Sequence, residues 1–194
     1  QLDLNAISDA INYKTRAVVS VSPNNPTGAV YPENDLQTLN KLCSERGIFH
    51  IHDEAYEYFT YEGRKHFSPA SLTESKDHTI SLFSLSKSYG FASWRIGYMT
   101  VPNALYEAVA KIQDTILISP PVVSQKAALA AIKIGRDYCL KYRTKIEEVR
   151  TVLLTALATL DECCEPVLAD GAFYVLLRLR KQEDPMTIVQ KLIT

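Results

Sequence analysis

The chain has 194 residues, 46% hydrophobic and 22% charged, with 21 Lys+Arg against 22 Asp+Glu and a formal net charge of -1. This is globular composition, which excludes disordered, collagenous and coiled-coil chains, and the balanced charge offers no general basic field for a phosphate backbone, so no nucleic-acid partner is expected. The longest apolar stretches, such as Val152–Leu160, fall well short of the roughly 20 residues needed to span a bilayer, so no membrane partner is expected either. The cysteines at 43, 139, 163 and 164 lack the close paired spacing of a zinc or redox motif, which predicts reduced thiols, no metal and a cytoplasmic location. The opening Gln1-Leu2-Asp3-Leu4 has no Met, basic region or apolar core and reads as an internal cut rather than a signal peptide.

In chain order, the valine-rich run Arg16–Ser22 predicts a strand that stops at the turn-forming cluster Pro23-Asn24-Asn25-Pro26-Thr27-Gly28. Pro32 then opens a helix with Leu36, Leu39, Leu42 and Cys43 on one face, closed by Gly47. Ile48–Ile51 and Thr79–Leu85 are the next strands, separated by a polar stretch from Tyr61 to His78. Strands alternating with a helix and long connections indicate a parallel α/β sheet. Too few residues separate Lys87 from the run Ile96–Val101 for a parallel crossover, which takes about a dozen or more, so that strand should be antiparallel. Pro120-Pro121 precedes a helix over Val122–Ile134 that Gly135 can cap. A longer helix follows through about Leu160, with Ile146, Val149, Leu153, Ala156, Leu157 and Leu160 forming an apolar stripe that needs a partner surface. Gly171–Arg180 is β-rich, and Asp184-Pro185 starts a last helix. The expected fold class is α/β, a mostly parallel sheet with helices on both faces, over residues 1–137, followed by an interdomain helix and the start of a smaller α+β domain over 138–194.

Three reactive side chains fall just past the carboxyl ends of the three parallel strands: Asn25, Asp53 and Lys87. Open α/β sheets bind ligands in that crevice. An amide, a carboxylate and an amine are thereby placed around one pocket, with Ser84 and Arg95 flanking the lysine.

At these positions the sequence resembles the fold-type I aminotransferases that use pyridoxal phosphate, the class I/II group. The resemblance rests on Ser22–Tyr31 (SPNNPTGAVY), Asp53-Glu54-Ala55-Tyr56 and Ser84–Gly97 (SLSKSYGFASWRIG), in order and at matching separations, and continues through Ser119-Pro120-Pro121 to Gly171-Ala172-Phe173-Tyr174. It implies transfer of an amino group between an amino acid and a 2-oxo acid, with pyridoxal 5'-phosphate held as a Schiff base on Lys87, which also shuttles the proton. Asp53 would pair with the pyridine nitrogen, Tyr56 and Asn25 would donate to the phenolate oxygen, and Ser84 and Arg95 would hold the phosphate. Ser86 joins them only if the strand persists that far.

Other readings of single residues stand beside these. Lys87 could be a solvated surface lysine, Asp53 a helix N-cap, Tyr56 a packed tyrosine and Asn25 a turn residue. His50 and His52 share one strand face and read as a structural pair; Tyr58, Phe59 and Tyr61 read as packing, as does Trp94. The resemblance also places an upstream phosphate cradle, a ring-stacking aromatic residue and a downstream carboxylate-binding arginine outside this chain, and implies a homodimer. A β-eliminating lyase would use the same lysine, aspartate and arginine, and a non-catalytic truncated paralogue acting as a binding module is the reading from a different class. The absence of arginine from Ile112–Lys126, where the resemblance would put one for a side-chain carboxylate, favours aromatic or aliphatic amino acids over acidic ones.

Overall fold

The computed structural model describes residues 2–180 and 183–193. A four-stranded sheet runs in the order β1 (Ala17–Val21), β2 (Phe49–Asp53), β3 (Thr79–Ser84), β4 (Gly97–Thr100). The first two pairings are parallel, with Val21 beside Asp53 and Asp53 beside Leu82, and β4 returns antiparallel with Gly97 opposite Ser84. The short connection therefore has the consequence expected of it. Gly97 sits where a Cβ would come within 2.5 Å of the Phe83 carbonyl, so only glycine lets the two strands approach this closely.

α1 (Leu4–Ala10) and α2 (Glu33–Glu45) cover one side of β1 and β2. Leu39, Cys43 and Ile48 form a core against Leu4, Ile7, Ile11 and Val18. The sheet face turned toward α2 is polar: Ser20, His50, His52, Thr79 and Ser81 are all buried. Buried polar groups are tolerable only when they satisfy one another. Here the Ser20 hydroxyl lies 2.8 Å from His50 Nε2 and 2.7 Å from His52 Nδ1. Asn40 on α2 donates to Thr79 Oγ1 at 2.7 Å, contacts His50 Nδ1 at 3.0 Å and meets His78 through its Oδ1. His52 stacks on His66, whose Nε2 is 2.7 Å from the buried Glu54 carboxylate. The histidines are thus a packed structural network, in which His52 Nε2, His66 Nδ1 and Ser81 Oγ have no hydrogen-bond partner among the described residues.

Several boundaries differ from the sequence expectation. β3 ends at Ser84 and the chain turns at once into the short helix α3 (Leu85–Ser88), because the Ser84 hydroxyl accepts the Ser86 N–H and caps it. Ser86 therefore lies on a helical turn and does not continue the strand face. Between β4 and the predicted helix α5 (Val122–Ile134) lies a further helix, α4 (Tyr106–Ile116). α6 (Arg136–Leu157) is the long helix. Of the β-rich run after Gly171, only β6 (Leu177–Leu179) is a strand; it pairs antiparallel with β5 (Cys164–Pro166), and Gly171 makes an isolated bridge to Thr60. α7 (Pro185–Ile193) follows. Cys164 is buried and Cys163 exposed, and all four thiols are free. Trp94 stacks on Phe91 at 5.5 Å while remaining 40% exposed.

Candidate active site

The carboxyl ends of β1, β2 and β3 present three segments to one crevice. The loop after β1 carries Asn25; its turn is closed by Asn24, whose Oδ1 accepts from the Thr27 N–H and hydroxyl, and by Gly28 at φ +69°. At the end of β2, Asp53 Oδ1 accepts the Ala55 N–H at 2.9 Å. This is a cap of the following turn, and Oδ2 has no hydrogen-bond partner among the described residues. The turn brings Tyr56 round to the crevice. Lys87 lies on α3, exposed, with its Nζ 6.0 Å from the centroids of both the Tyr56 and Phe173 rings. Leu85 and Tyr89 anchor that short helix by packing against Ala128, Ala131 and Cys139.

Arg95 follows a single helical turn in the left-handed conformation, φ +50°, and its Nη1 donates to the Ala92 carbonyl at 2.8 Å. A non-glycine residue held there is an uncommon conformation, of the kind that gathers at ligand sites. Among the described residues neither Lys87 nor Arg95 has a carboxylate ion-pair partner. Two cations and the Ser84 hydroxyl are therefore left on the side of the crevice beyond β3.

Tyr56 is the buried member of the set, 5% exposed. Burial raises its phenol pKa, the Tyr174 hydroxyl raises it further, and the Asn25 side chain, within hydrogen-bonding reach, pulls it down. The two tyrosine oxygens are 2.6 Å apart. Phe173 and Tyr174 meet the Tyr56 ring edge-on at 5.3 and 5.5 Å.

Those two aromatic residues come from a segment far along the chain, and its attachment explains their position. Gly171 N–H donates to the Gly28 carbonyl, Ala172 N–H to Phe59, and Tyr61 N–H to Asp170. A Cβ on Gly28 would lie 2.3 Å from the Ala169 Cβ, and one on Gly171 would lie 2.6 Å from a Val30 methyl. Two glycines thus clamp the turn carrying Asn25 onto the segment carrying Tyr174. A cavity of about 270 Å³ lies behind this wall, lined by Ile146, Val149, Leu153, Phe173 and Tyr174 among others. None of Asn25, Asp53, Ser84, Lys87 or Arg95 lines it, so it is distinct from the reactive crevice.

The structure therefore brings Asn25, Asp53, Tyr56, Ser84, Lys87 and Arg95 to one end of the sheet. Comparison with known proteins identifies the family of the chain. The sequence profile of the aminotransferase class I and II family matches residues 1–194. The chain belongs to that family.

A probable aspartate/prephenate aminotransferase from Aquifex aeolicus is 37% identical over 178 residues, 90% of this chain and 45% of that protein. Aromatic-amino-acid aminotransferase 2 of Thermococcus litoralis is 30% identical over 182 residues, covering 93% and 46%. Among solved structures, a Thermus thermophilus aspartate aminotransferase double mutant superposes with a TM-score of 0.84 at 35% identity, and the aromatic aminotransferase of Pyrococcus horikoshii with 0.86 at 31%. They cover 91% and 93% of this chain, and 46% and 48% of those chains. The chain thus spans about half the length of the aminotransferases it matches, and its sheet is the corresponding part of the aminotransferase fold.

Sequence reasoning did not assign the Gly28–Gly171 contact or the Tyr56–Tyr174 pair. The GAFY segment was visible as a motif, but only the folded chain brings residues 118 positions apart into hydrogen-bond contact.

Proposed function

We propose that the chain carries the lysine-bearing part of an aminotransferase active site, moving an amino group between an amino acid and a 2-oxo acid with pyridoxal 5'-phosphate as cofactor. The observation that carries this reading is the convergence, at the carboxyl end of one parallel sheet, of an exposed lysine amine, a buried phenol, and, among the described residues, a carboxylate with one unused oxygen and a guanidinium with no carboxylate partner.

That donor set fits the cofactor's chemistry. The Arg95 guanidinium, which has no carboxylate partner among the described residues, and the Ser84 hydroxyl suit a phosphate. The Asp53 carboxylate suits a protonated ring nitrogen, which would compensate its half-buried charge. Tyr56 and Asn25 suit an anionic oxygen. When bound, the cofactor supplies an electrophilic carbonyl carbon and an electron-withdrawing ring. Lys87 Nζ is the nucleophile that anchors it and the base that holds and returns the substrate's proton. Tyr56 orients by donating its hydroxyl proton, and Asp53, fixed by its bond to the Ala55 N–H, keeps the opposing charge in place.

The relatives' names include both aspartate/prephenate and aromatic aminotransferases. The lack of arginine in Ile112–Lys126 supports an aromatic or aliphatic amino acid as the donor. A homodimer and a cytoplasmic setting belong to the same reading. Incubating the chain with pyridoxal phosphate and aromatic, aliphatic or acidic donors, with and without a 2-oxo acid acceptor, tests it. Oxo acid formed only when acceptor is present is the expected result. Ammonia released without acceptor would establish elimination instead, and no product from any donor would remove the claim of turnover for this chain.

A further inference from the structure

We propose that Tyr174 is a positioning residue for Tyr56: its hydroxyl holds the Tyr56 hydroxyl in place, and so ties the segment after α6 to the reactive crevice. The proposal rests on the aminotransferase reading for what Tyr56 donates to, but the contact itself is a property of this chain alone.

Hydrogen-bond capacity limits how the two hydroxyls can pair. A phenol oxygen accepts up to two hydrogen bonds and donates one. The Asn25 side chain lies within reach of the Tyr56 oxygen, and the Tyr174 oxygen is 2.6 Å from it. If Asn25 and Tyr174 both donate inward, the Tyr56 proton is the one left to point at an anion in the crevice. Hydroxyls in series polarise one another, so a Tyr174 donor makes Tyr56 a stronger donor in turn. Tyr174 can serve this way because its backbone is pinned. Gly171 and Ala172 are hydrogen-bonded to Gly28 and Phe59, and there is no room for a side chain at Gly28 or Gly171. Ala172 itself is fully buried against Tyr56 and Phe59. The Tyr174 ring, edge-on to Tyr56 at 5.5 Å, fixes the approach. Among the described residues, Asp53, whose charge raises the Tyr56 pKa, and Lys87, whose Nζ is 6.0 Å from the ring, face Tyr56, and Lys145 and Arg150 line the cavity that Tyr174 also lines.

The test uses the 194-residue chain, its Tyr174→Phe and Tyr56→Phe variants and the double variant, each loaded with pyridoxal phosphate. The pH midpoint of the visible absorbance of cofactor bound at Lys87 is then measured. Tyr174→Phe keeps the ring and removes the hydroxyl, so packing is retained. The midpoint should move upward by about two- to fivefold in the acid dissociation constant. That shift should vanish in the Tyr56→Phe background. An unmoved midpoint, or the same shift with and without the Tyr56 hydroxyl, would overturn the proposal.

Absence of any Lys87-bound absorbance in the unsubstituted chain would instead count against the cofactor reading. The proposal is then decided without cofactor, by titrating the Tyr56 phenol through the ring-carbon resonances of labelled tyrosine. Because the two hydroxyls share one hydrogen bond, Tyr174→Phe must shift that titration. An unchanged Tyr56 titration would reject the pair as a working contact.

Discussion

The two sides of the crevice are built on different principles. From β1 to β3 the chain is organised from inside: α2 buries Leu36, Leu39, Asn40 and Cys43, and the polar sheet face is closed by the Ser20, Asn40 and histidine network. From α4 onward it is held at points. Among the described residues α4 and α7 bury no side chain and α6 buries only Cys139, while Ile112, Ile116, Val149, Val152 and Leu192 are all more than half exposed. What fixes this second region is contact with the site. Cys139 packs against Leu85 and Tyr89 below Lys87, Arg150 bonds Glu62 and the Ala169 carbonyl, and Tyr174 meets Tyr56. The two regions can be probed separately: a crevice charge can be removed while its cap is kept, and the seam can be strained at Gly28.

Asp53→Asn separates the two most widely. The amide can still cap the Ala55 N–H, so thermal stability should hold. Amino-transfer rate should drop by about 10²–10³ with loss of the charge that preorganises the site. Equal falls in melting temperature and rate would show that Asp53 is chiefly a cap.

Gly28→Ala attacks the seam. The substitution combines a left-handed backbone, φ +69°, with a 2.3 Å approach to the Ala169 Cβ. Chemical denaturation should report a loss of about 2–4 kcal/mol, with cofactor affinity falling alongside. A loss confined to the signal of the C-terminal helices would sharpen the comparison, and none at all would break it.

Acid should act on the first region. Burial, reinforced by neighbouring histidines, lowers the His50 and His52 pKa values to about 4 and about 3. Below pH 6.5 the unfolded chain takes up protons that the folded chain refuses, so stability falls as pH drops from about 6.5 toward 3. Glu57 opposes this: burial raises its pKa to about 7, so between its ordinary value and 7 the folded state binds the extra proton and gains stability as pH falls. Two histidines outweigh one glutamate. Melting temperature should therefore decrease from pH 7 to pH 4, and Glu57→Gln should make the decrease steeper. A flat profile would mean that the network admits water and protons freely.

The smallest effect is expected at the far end. Arg178 and Glu165 form an exposed pair 3.9 Å apart across β5 and β6. Arg178→Ala should change stability by no more than about 0.5 kcal/mol.

The sheet was legible because its signals are local: valine-rich runs ending at Pro23, and a gap before Ile96 too short for a crossover. The grouping of the candidate residues was legible because parallel strands deliver their following residues to one edge, which brings Asn25, Asp53 and Lys87 together without any knowledge of contacts. The buried face was less so. In HIHD the alternation is polar and apolar, and the usual reading sends polar residues outward; only the partners supplied by Asn40 and Ser20 let the histidines turn inward. α4 carries no cap hydrogen bond from a side chain and has no strong start signal. Residues 171–176 resemble a strand in composition, but the segment is recruited to the Tyr56 wall, leaving only Leu177–Leu179 to pair.

The central claim is that Lys87 is set apart from the other lysines by its place at the end of β3. Mixing the chain with pyridoxal phosphate, reducing with borohydride and mapping the modified peptide by mass spectrometry tests it directly. The account predicts label concentrated on Lys87 and diminished in Asp53→Ala and Arg95→Ala. Label spread over exposed lysines such as Lys41 and Lys145, with no preference for Lys87, would contradict it.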